Sequence, residues 1–166
     1  ETGLVYIPVD ENHCGVIEGR EVTYMPGSSY TGARTEFTLR EPEGNIGEIQ
    51  AWNMNTGEEV WSVEFQSHNW GGILTTGGNL IFSGGTSDRY FRAHDASSGE
   101  ELWRFRTNSG IIGVPSTFSV DGKQYVAVQS GWGVDAAGMT ARIDQQRGTR
   151  TFVPQGGVVW VFALSD

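Results

Sequence analysis

Short apolar runs alternate with polar, glycine-rich joints along most of this chain. Residues 3–8 (GLVYIP), 72–76, 79–83, 114–120, 124–129 and 158–163 have the length and apolar content of strands. Between them sit clusters of Gly, Asn, Asp and Ser, which favour turns because Gly tolerates positive φ and the others bond to nearby backbone. Two windows repeat the same pattern. Residues 49–64 read IQAWNMNTGEEVWSVE and residues 91–106 read FRAHDASSGEELWRFR. Ala51 aligns with Ala93, Asn53 with Asp95, Gly57 with Gly99 and Trp61 with Trp103, at a constant offset of 42 residues. Each window predicts a β-hairpin closed by a short glycine turn. The recurrence of a small Ala and a large Trp predicts that the indole of one unit packs on the next unit where Ala leaves room.

A period of this size points to stacked four-stranded units, as in a propeller or solenoid. Strands at 72–76, 79–83, 89–95 and 101–106 make one complete unit. A third unit starts at 110, with strands at 114–120 and 124–129 around an Asp121-Gly122 turn, and a further strand at 158–163. Its fourth strand is expected to come from elsewhere. Two long segments, 9–46 and 130–157, interrupt the pattern and are expected to be irregular and functional rather than floppy. The chain lacks an initiator Met and opens within a strand, so it is read as a piece of a longer polypeptide.

Composition narrows the picture. The chain holds 24 Gly against 5 Pro, which suits tight turns between short strands. A formal charge of −9 argues against a nucleic-acid partner, which needs a basic footprint. No apolar run approaches the ~20 residues of a transmembrane helix. Cys14 is the single cysteine, so no internal disulfide forms; it is expected to be a buried small residue. His13, His68 and His94 do not have metal-ligand spacing, and His94 is expected on a surface. Asp10 and Glu11 lack the pattern of a calcium loop. Neither a phosphate-binding glycine loop nor a Gly-x-Ser-x-Gly nucleophile motif is present.

The hairpin units, together with Tyr6–His13 (YIPVDENH), Asn69–Gly72 (NWGG), GGNLIFSG at 77–84, SGIIGVPSTF at 109–118 and DGKQYVAVQSGWG at 121–133, resemble the C-terminal part of the pyrroloquinoline quinone (PQQ)-dependent alcohol dehydrogenases of the methanol and ethanol dehydrogenase family. The resemblance runs over nearly the whole chain. It implies an all-β fold: about two and a half to three four-stranded blades of an eight-bladed β-propeller, locked by tryptophan docking motifs. It further implies a partial blade with a long loop over 1–69, a complete blade over 70–109, and a last blade over 110–166 that lacks its closing strand. By the same resemblance Asn12, Trp70 and Trp132 are cofactor-binding residues. An amide at Asn12 suits the quinone oxygens, and indoles at Trp70 and Trp132 suit a planar cofactor. The catalytic residues and the ligands of a Ca2+ or lanthanide ion are expected outside this segment. The implied activity is oxidation of primary alcohols by hydride transfer to PQQ, with electrons passed to a c-type cytochrome, in the periplasm. The isolated chain is expected to be inactive. A non-enzymatic propeller scaffold of the outer-membrane assembly type, and a quinoprotein acting on sugars or polyols, are the competing readings.

Overall fold

The computed structural model describes residues 2–28 and 31–164. Positions 29 and 30, within the first long segment, and the terminal residues 1, 165 and 166 lie outside them. Strands β1 (Leu4–Asp10), β4 (Gly47–Asn53) and β5 (Glu59–Phe65) form one antiparallel sheet in the order β1-β4-β5. Strands β6 (Ile73–Thr75), β7 (Leu80–Ser83), β8 (Tyr90–Asp95) and β9 (Glu101–Arg106) form a four-stranded meander. Strands β10 (Ser116–Val120), β11 (Lys123–Ser130) and β12 (Val158–Ala163) form a third sheet. The architecture is a partial β-propeller. Local chemistry explains the joints. Asp121 and Gly122 both take positive φ, 50° and 79°, as the tight turn between β10 and β11 requires. Asn53 Oδ1 accepts from the amides of Asn55 and Thr56, and Asp95 Oδ1 accepts from those of Ser97 and Ser98. The Asn-for-Asp exchange between the two copies therefore keeps the acceptor that builds the turn.

The repeat unit docks in a way that only part of the sequence pattern anticipates. Ala51 pairs with Trp61, and Ala93 with Trp103, within the same hairpin. The Ala thus makes room for its own Trp rather than for a neighbour's. Across the sheet interface the Trp61 indole N–H donates to the carbonyl of Ala96 at 3.2 Å. A Cβ at Gly99 would lie 2.7 Å from the Trp61 ring, so the glycine leaves the space. Tyr6 donates to the same Ala96 carbonyl at 2.9 Å. Ile49, Ile81 and Ala96 form the apolar centre of this interface, and burying each Ile is worth about 1.5–3 kcal/mol. Between the second and third sheets, Phe91, Ile111, Val126 and Val128 are buried. Trp103 meets Phe162 there edge-on at 5.2 Å and keeps 38% of its surface exposed.

Both long segments are more regular than expected. Residues 9–46 contain a ribbon of β2 (His13–Gly19) and β3 (Ala33–Leu39), inserted between β1 and its partner β4. Cys14 lies on this ribbon and is exposed, contrary to the buried position expected, because β2 is exposed along most of its length; its Sγ accepts from Arg40 Nε at 3.4 Å. Residues 130–157 contain helix α1 (Val134–Arg147). Ala, Met, Gln and Arg dominate it, all strong helix formers. Gly148 ends it in the left-handed region, with its N–H bonded to the Asp144 carbonyl. Ile143 of α1 packs on Leu39 and Ile46 at the ribbon's base. His94 is fully buried rather than on a surface: β8 is an inner strand, paired on both sides, and the ring bonds through Nδ1 to the Gly99 carbonyl at 3.0 Å.

Docking of Trp61 sets a measurable contrast. Trp61→Ala is expected to cost about 3 kcal/mol, as for a large aromatic removed from a packed site, and Trp103→Ala less. Gly57 and Gly99 share similar backbone angles, φ 70° and 77°, but a side chain at Gly57 meets nothing. Gly99→Ala should therefore destabilise distinctly more than Gly57→Ala in denaturant unfolding of the protein that carries this segment. Equal losses would remove the docking assignment.

Candidate cofactor site

Trp132 stands at the junction of β11 and α1. It is buried, and its ring covers Gly110 so closely that a Cβ there would come within 1.9 Å of the indole. The Gly131 N–H donates to the Gly110 carbonyl at 2.7 Å, fixing the approach. Trp132, Ala136 and Val153 form one apolar cluster, and Trp70 and Ile112 pack against it. Two of the three expected residues therefore meet, although 62 positions separate them in the chain. Beside them opens a depression of about 480 Å3 whose lining includes Ile112, Gln129, Trp132 and several glycines.

Trp70 is half-buried at the entry to β6, with its N–H bonded to the Gly85 carbonyl at 3.0 Å. The protein itself closes on the flanking Gly71 and Gly72. A Cβ at Gly71 would lie 2.5 Å from the Gly84 carbonyl, and one at Gly72 2.8 Å from Val114.

Asn12 sits apart from this pair, between β1 and β2, with φ 56°. Its Nδ2 donates to the Glu41 carbonyl and its Oδ1 accepts from the Glu41 N–H, both at 2.8 Å. The side chain thus clips the base of the ribbon. An amide has a second N–H and a second lone pair, so this clip does not exhaust it.

A ladder of rings connects the two places. His13 lies 5.5 Å from His68 between ring centroids, and His68 lies 5.8 Å from Trp70, with Phe37 alongside. His68 is buried, and burial, with His13 and Arg147 nearby, lowers its pKa to about 4. Its ring is neutral at ordinary pH. His68 Nδ1 and Asn69 Oδ1 have no hydrogen-bond partner among the described residues. A buried polar atom left without a partner costs about 1–3 kcal/mol, and two fall here in consecutive residues; His94 Nε2 is another such atom among the described residues. Sequence singled out neither side chain as a site residue: Asn69 stands there only as the first residue of the NWGG stretch and His68 only as a histidine without metal-ligand spacing, and it is burial that distinguishes them. Asp10 accepts from the Asn69 N–H at 2.8 Å, and burial raises its pKa above the usual carboxylate value.

Flat aromatic walls, a glycine-lined depression and unpaired polar atoms fit one side of a planar, polar cofactor such as PQQ. Among the described residues no group of three or more His, Cys, Asp or Glu side chains can hold a metal ion. No helix of the described residues is long and apolar enough to cross a membrane.

The pKa of His68 predicts an acid-dependent loss of stability. Its folded value of about 4 lies below its unfolded value of ~6.5. Between these values the unfolded chain binds a proton that the folded chain refuses, so the stability present above pH ~6.5 is lost as pH falls. His94 acts in the same direction, and Asp10 opposes both. His68→Phe should flatten the dependence of the thermal midpoint on pH between 4 and 6.5. An unchanged slope would remove His68 as its source.

Comparison with known proteins gives a consistent result. Residues 62–126 match the PQQ family described as the glucose/ethanol/alcohol dehydrogenase β-propeller domain. A quinoprotein ethanol dehydrogenase of Pseudomonas putida is 39% identical over 172 residues, covering 99% of this chain and 25% of the relative. The lanthanide-dependent methanol dehydrogenase of Methylorubrum extorquens is 37% identical, covering 100% of this chain and 29% of the relative. Among solved structures, a europium-containing methanol dehydrogenase superimposes with a TM-score of 0.80 at 34% identity, covering 98% of this chain and 31% of that one. The quinohemoprotein alcohol dehydrogenase of Comamonas testosteroni superimposes with a TM-score of 0.69 at 31% identity, covering 98% and 24%. The chain thus spans about a quarter of the length of the curated relatives it matches. By the family match over residues 62–126, the alignments that span this chain and the shared fold, this chain matches a segment of the PQQ-dependent quinoprotein alcohol dehydrogenases.

Proposed function

We propose that this segment forms one wall of the PQQ site in a quinoprotein dehydrogenase that oxidises primary alcohols to aldehydes. The convergence of Trp70 and Trp132 in one apolar cluster beside a glycine-lined depression carries this reading. PQQ, when bound, supplies an acceptor for the hydride of the alcohol. The chain's own residues hold and orient it. Trp132, immobilised on Gly110, and Trp70 present aromatic surface to a planar ring and exclude water from it. Asn12 keeps an N–H for a quinone oxygen, whose negative charge grows on reduction. His68, neutral and buried, offers a polar edge without adding charge near the site.

In this reading the segment divides into a partial blade over 1–69, a complete blade over 70–109 and a further blade over 110–166. The remainder of the propeller supplies the proton-accepting carboxylate and the ligands of a Ca2+ or lanthanide ion. Electrons leave to a c-type cytochrome, and the enzyme acts in the periplasm. The names of the relatives, among them ethanol, butanol and methanol dehydrogenases, support the alcohol substrate, and that of the lanthanide-dependent methanol dehydrogenase supports a lanthanide as one of the two ions.

Two measurements test the proposal. In the full-length apoprotein, titration with PQQ should quench tryptophan fluorescence, and Trp70→Phe or Trp132→Phe should weaken binding about tenfold, the equivalent of ~1.4 kcal/mol of aromatic contact. Unchanged affinity in both variants would overturn the site. The 166-residue chain alone is expected to show no alcohol turnover with added PQQ and metal. Turnover by it would overturn the assignment of the catalytic groups to the remainder of the protein.

A further inference from the structure

Arg147, the last residue of α1, donates from each of its three guanidinium nitrogens to a backbone carbonyl. Nε donates to Pro42 at 2.5 Å, Nη2 to Gly44 at 2.5 Å and Nη1 to Gln66 at 2.6 Å. None of the ion pairs among the described residues includes it. Its neighbour Gln146 extends the contact: Oε1 accepts from the Leu39 N–H at 2.7 Å, and Nε2 donates to the Phe37 carbonyl at 3.2 Å. A planar fork with donors on three nitrogens can join three fixed acceptors at once, which a single ammonium cannot.

The places that these bonds reach are specific. Pro42 and Gly44 directly follow Glu41, whose backbone Asn12 holds. Gly44 itself touches Asn12, since a Cβ there would lie 2.6 Å from Nδ2. Gln66 begins the short stretch that carries His68, Asn69 and Trp70. Helix α1 starts two residues after Trp132 and packs Ala136 against it. At a rise of 1.5 Å per residue its 14 residues span about 21 Å, from the indole of Trp132 to the ribbon's base. Two loops far apart in sequence thus converge on one side chain of α1: one runs into Trp70, the other is bonded to Asn12 through Glu41, and α1 itself follows Trp132.

We infer that Arg147 is the positioning residue of this site, fixing the relative placement of the segments that bear Asn12, Trp70 and Trp132. The inference rests on the reading of those three as cofactor contacts. Arg147 touches no reacting atom in this role. It acts by holding α1 and two loops in one register, because a binding constellation loosened by a fraction of an ångström loses affinity even when every contact residue remains.

The test uses the full-length apoprotein and PQQ, with binding read by quenching of tryptophan fluorescence and folding read separately by the thermal midpoint without PQQ. Arg147→Lys keeps the charge but cannot join three carbonyls. It is expected to weaken PQQ binding about tenfold or more, in the range seen when supporting contacts behind a bound group are removed. Arg147→Ala should lose more, and added ethylguanidinium should restore part of the affinity. Gln146→Glu, which keeps the acceptor for Leu39 but sets a carboxylate against the Phe37 carbonyl, should act in the same direction and serves if the Arg147 variants do not fold. A lowered midpoint with unchanged PQQ affinity in Arg147→Lys, or in Gln146→Glu where the former does not fold, would make Arg147 a structural bolt only and overturn the inference. Trp132→Phe separates the two levels. If it weakens PQQ binding while Arg147→Lys does not, the positioning role alone fails. If neither Trp70→Phe nor Trp132→Phe changes the affinity, the cofactor reading falls and takes this inference with it.

Discussion

An indole standing on a glycine holds the first two sheets in place. Each sheet has an apolar face that it cannot bury alone, so the molecule depends on how adjacent sheets meet. Trp61 solves the meeting with two complementary features: a ring that needs a flat, side-chain-free landing, and an N–H that needs an acceptor. Gly99 provides the landing and the Ala96 carbonyl the acceptor, both within one turn of the neighbouring repeat. The same turn is built by Asp95, whose carboxylate gathers the amides of Ser97 and Ser98. Turn chemistry in one unit therefore sets the docking geometry of the unit before it.

The candidate site inherits this order. Its tryptophans lie where strands give way to connections, and each is fixed by a glycine contact rather than by its own rotamer alone. Trp132 lies on Gly110, and the segment around Trp70 lies against Gly84 and Gly85. Placing rigid aromatic surface at the mouth of a stacked-sheet core lets a loop position act with the precision of a strand position. The buried atoms of His68 and Asn69 that lack a partner lie in the same stretch as Trp70, which packs against the Trp132 cluster.

Much of this was legible in the sequence, and the gaps have physical causes. A constant offset placed Trp61 and Trp103 in equivalent hairpins, and the four strands of the second sheet fall within the stretches that the apolar runs marked. Helix α1 escaped because only Ala136 and Ile143 of its residues are buried, too few to print an apolar stripe. The ribbon escaped because β2 is exposed along nearly its whole length and has no alternation to read. His94, expected on a surface, is buried because strands pair on both sides of β8, a neighbour relation its own hairpin motif does not record. The partners of Arg147 lie 81 to 105 residues away and are backbone atoms, which leave no trace in side-chain pattern.

The ribbon of β2 and β3 carries a consequence for how the molecule opens. Away from its base, a two-stranded ribbon exposed along most of its length has little apolar burial to stabilise it. Val16 and Ile17 remain 57% and 75% exposed along it. Its amides should exchange with solvent through small local openings, far more often than those of β4 or β8. Those openings need not travel inward, because the ribbon's base is fastened twice, by Asn12 to Glu41 and by Gln146 to Leu39. The molecule thus contains a boundary between a fast-exchanging arm and a slow-exchanging body, and Asn12 lies on that boundary, so a ligand held there would be recorded in hydrogen exchange at the base of the ribbon before it registered at its tip.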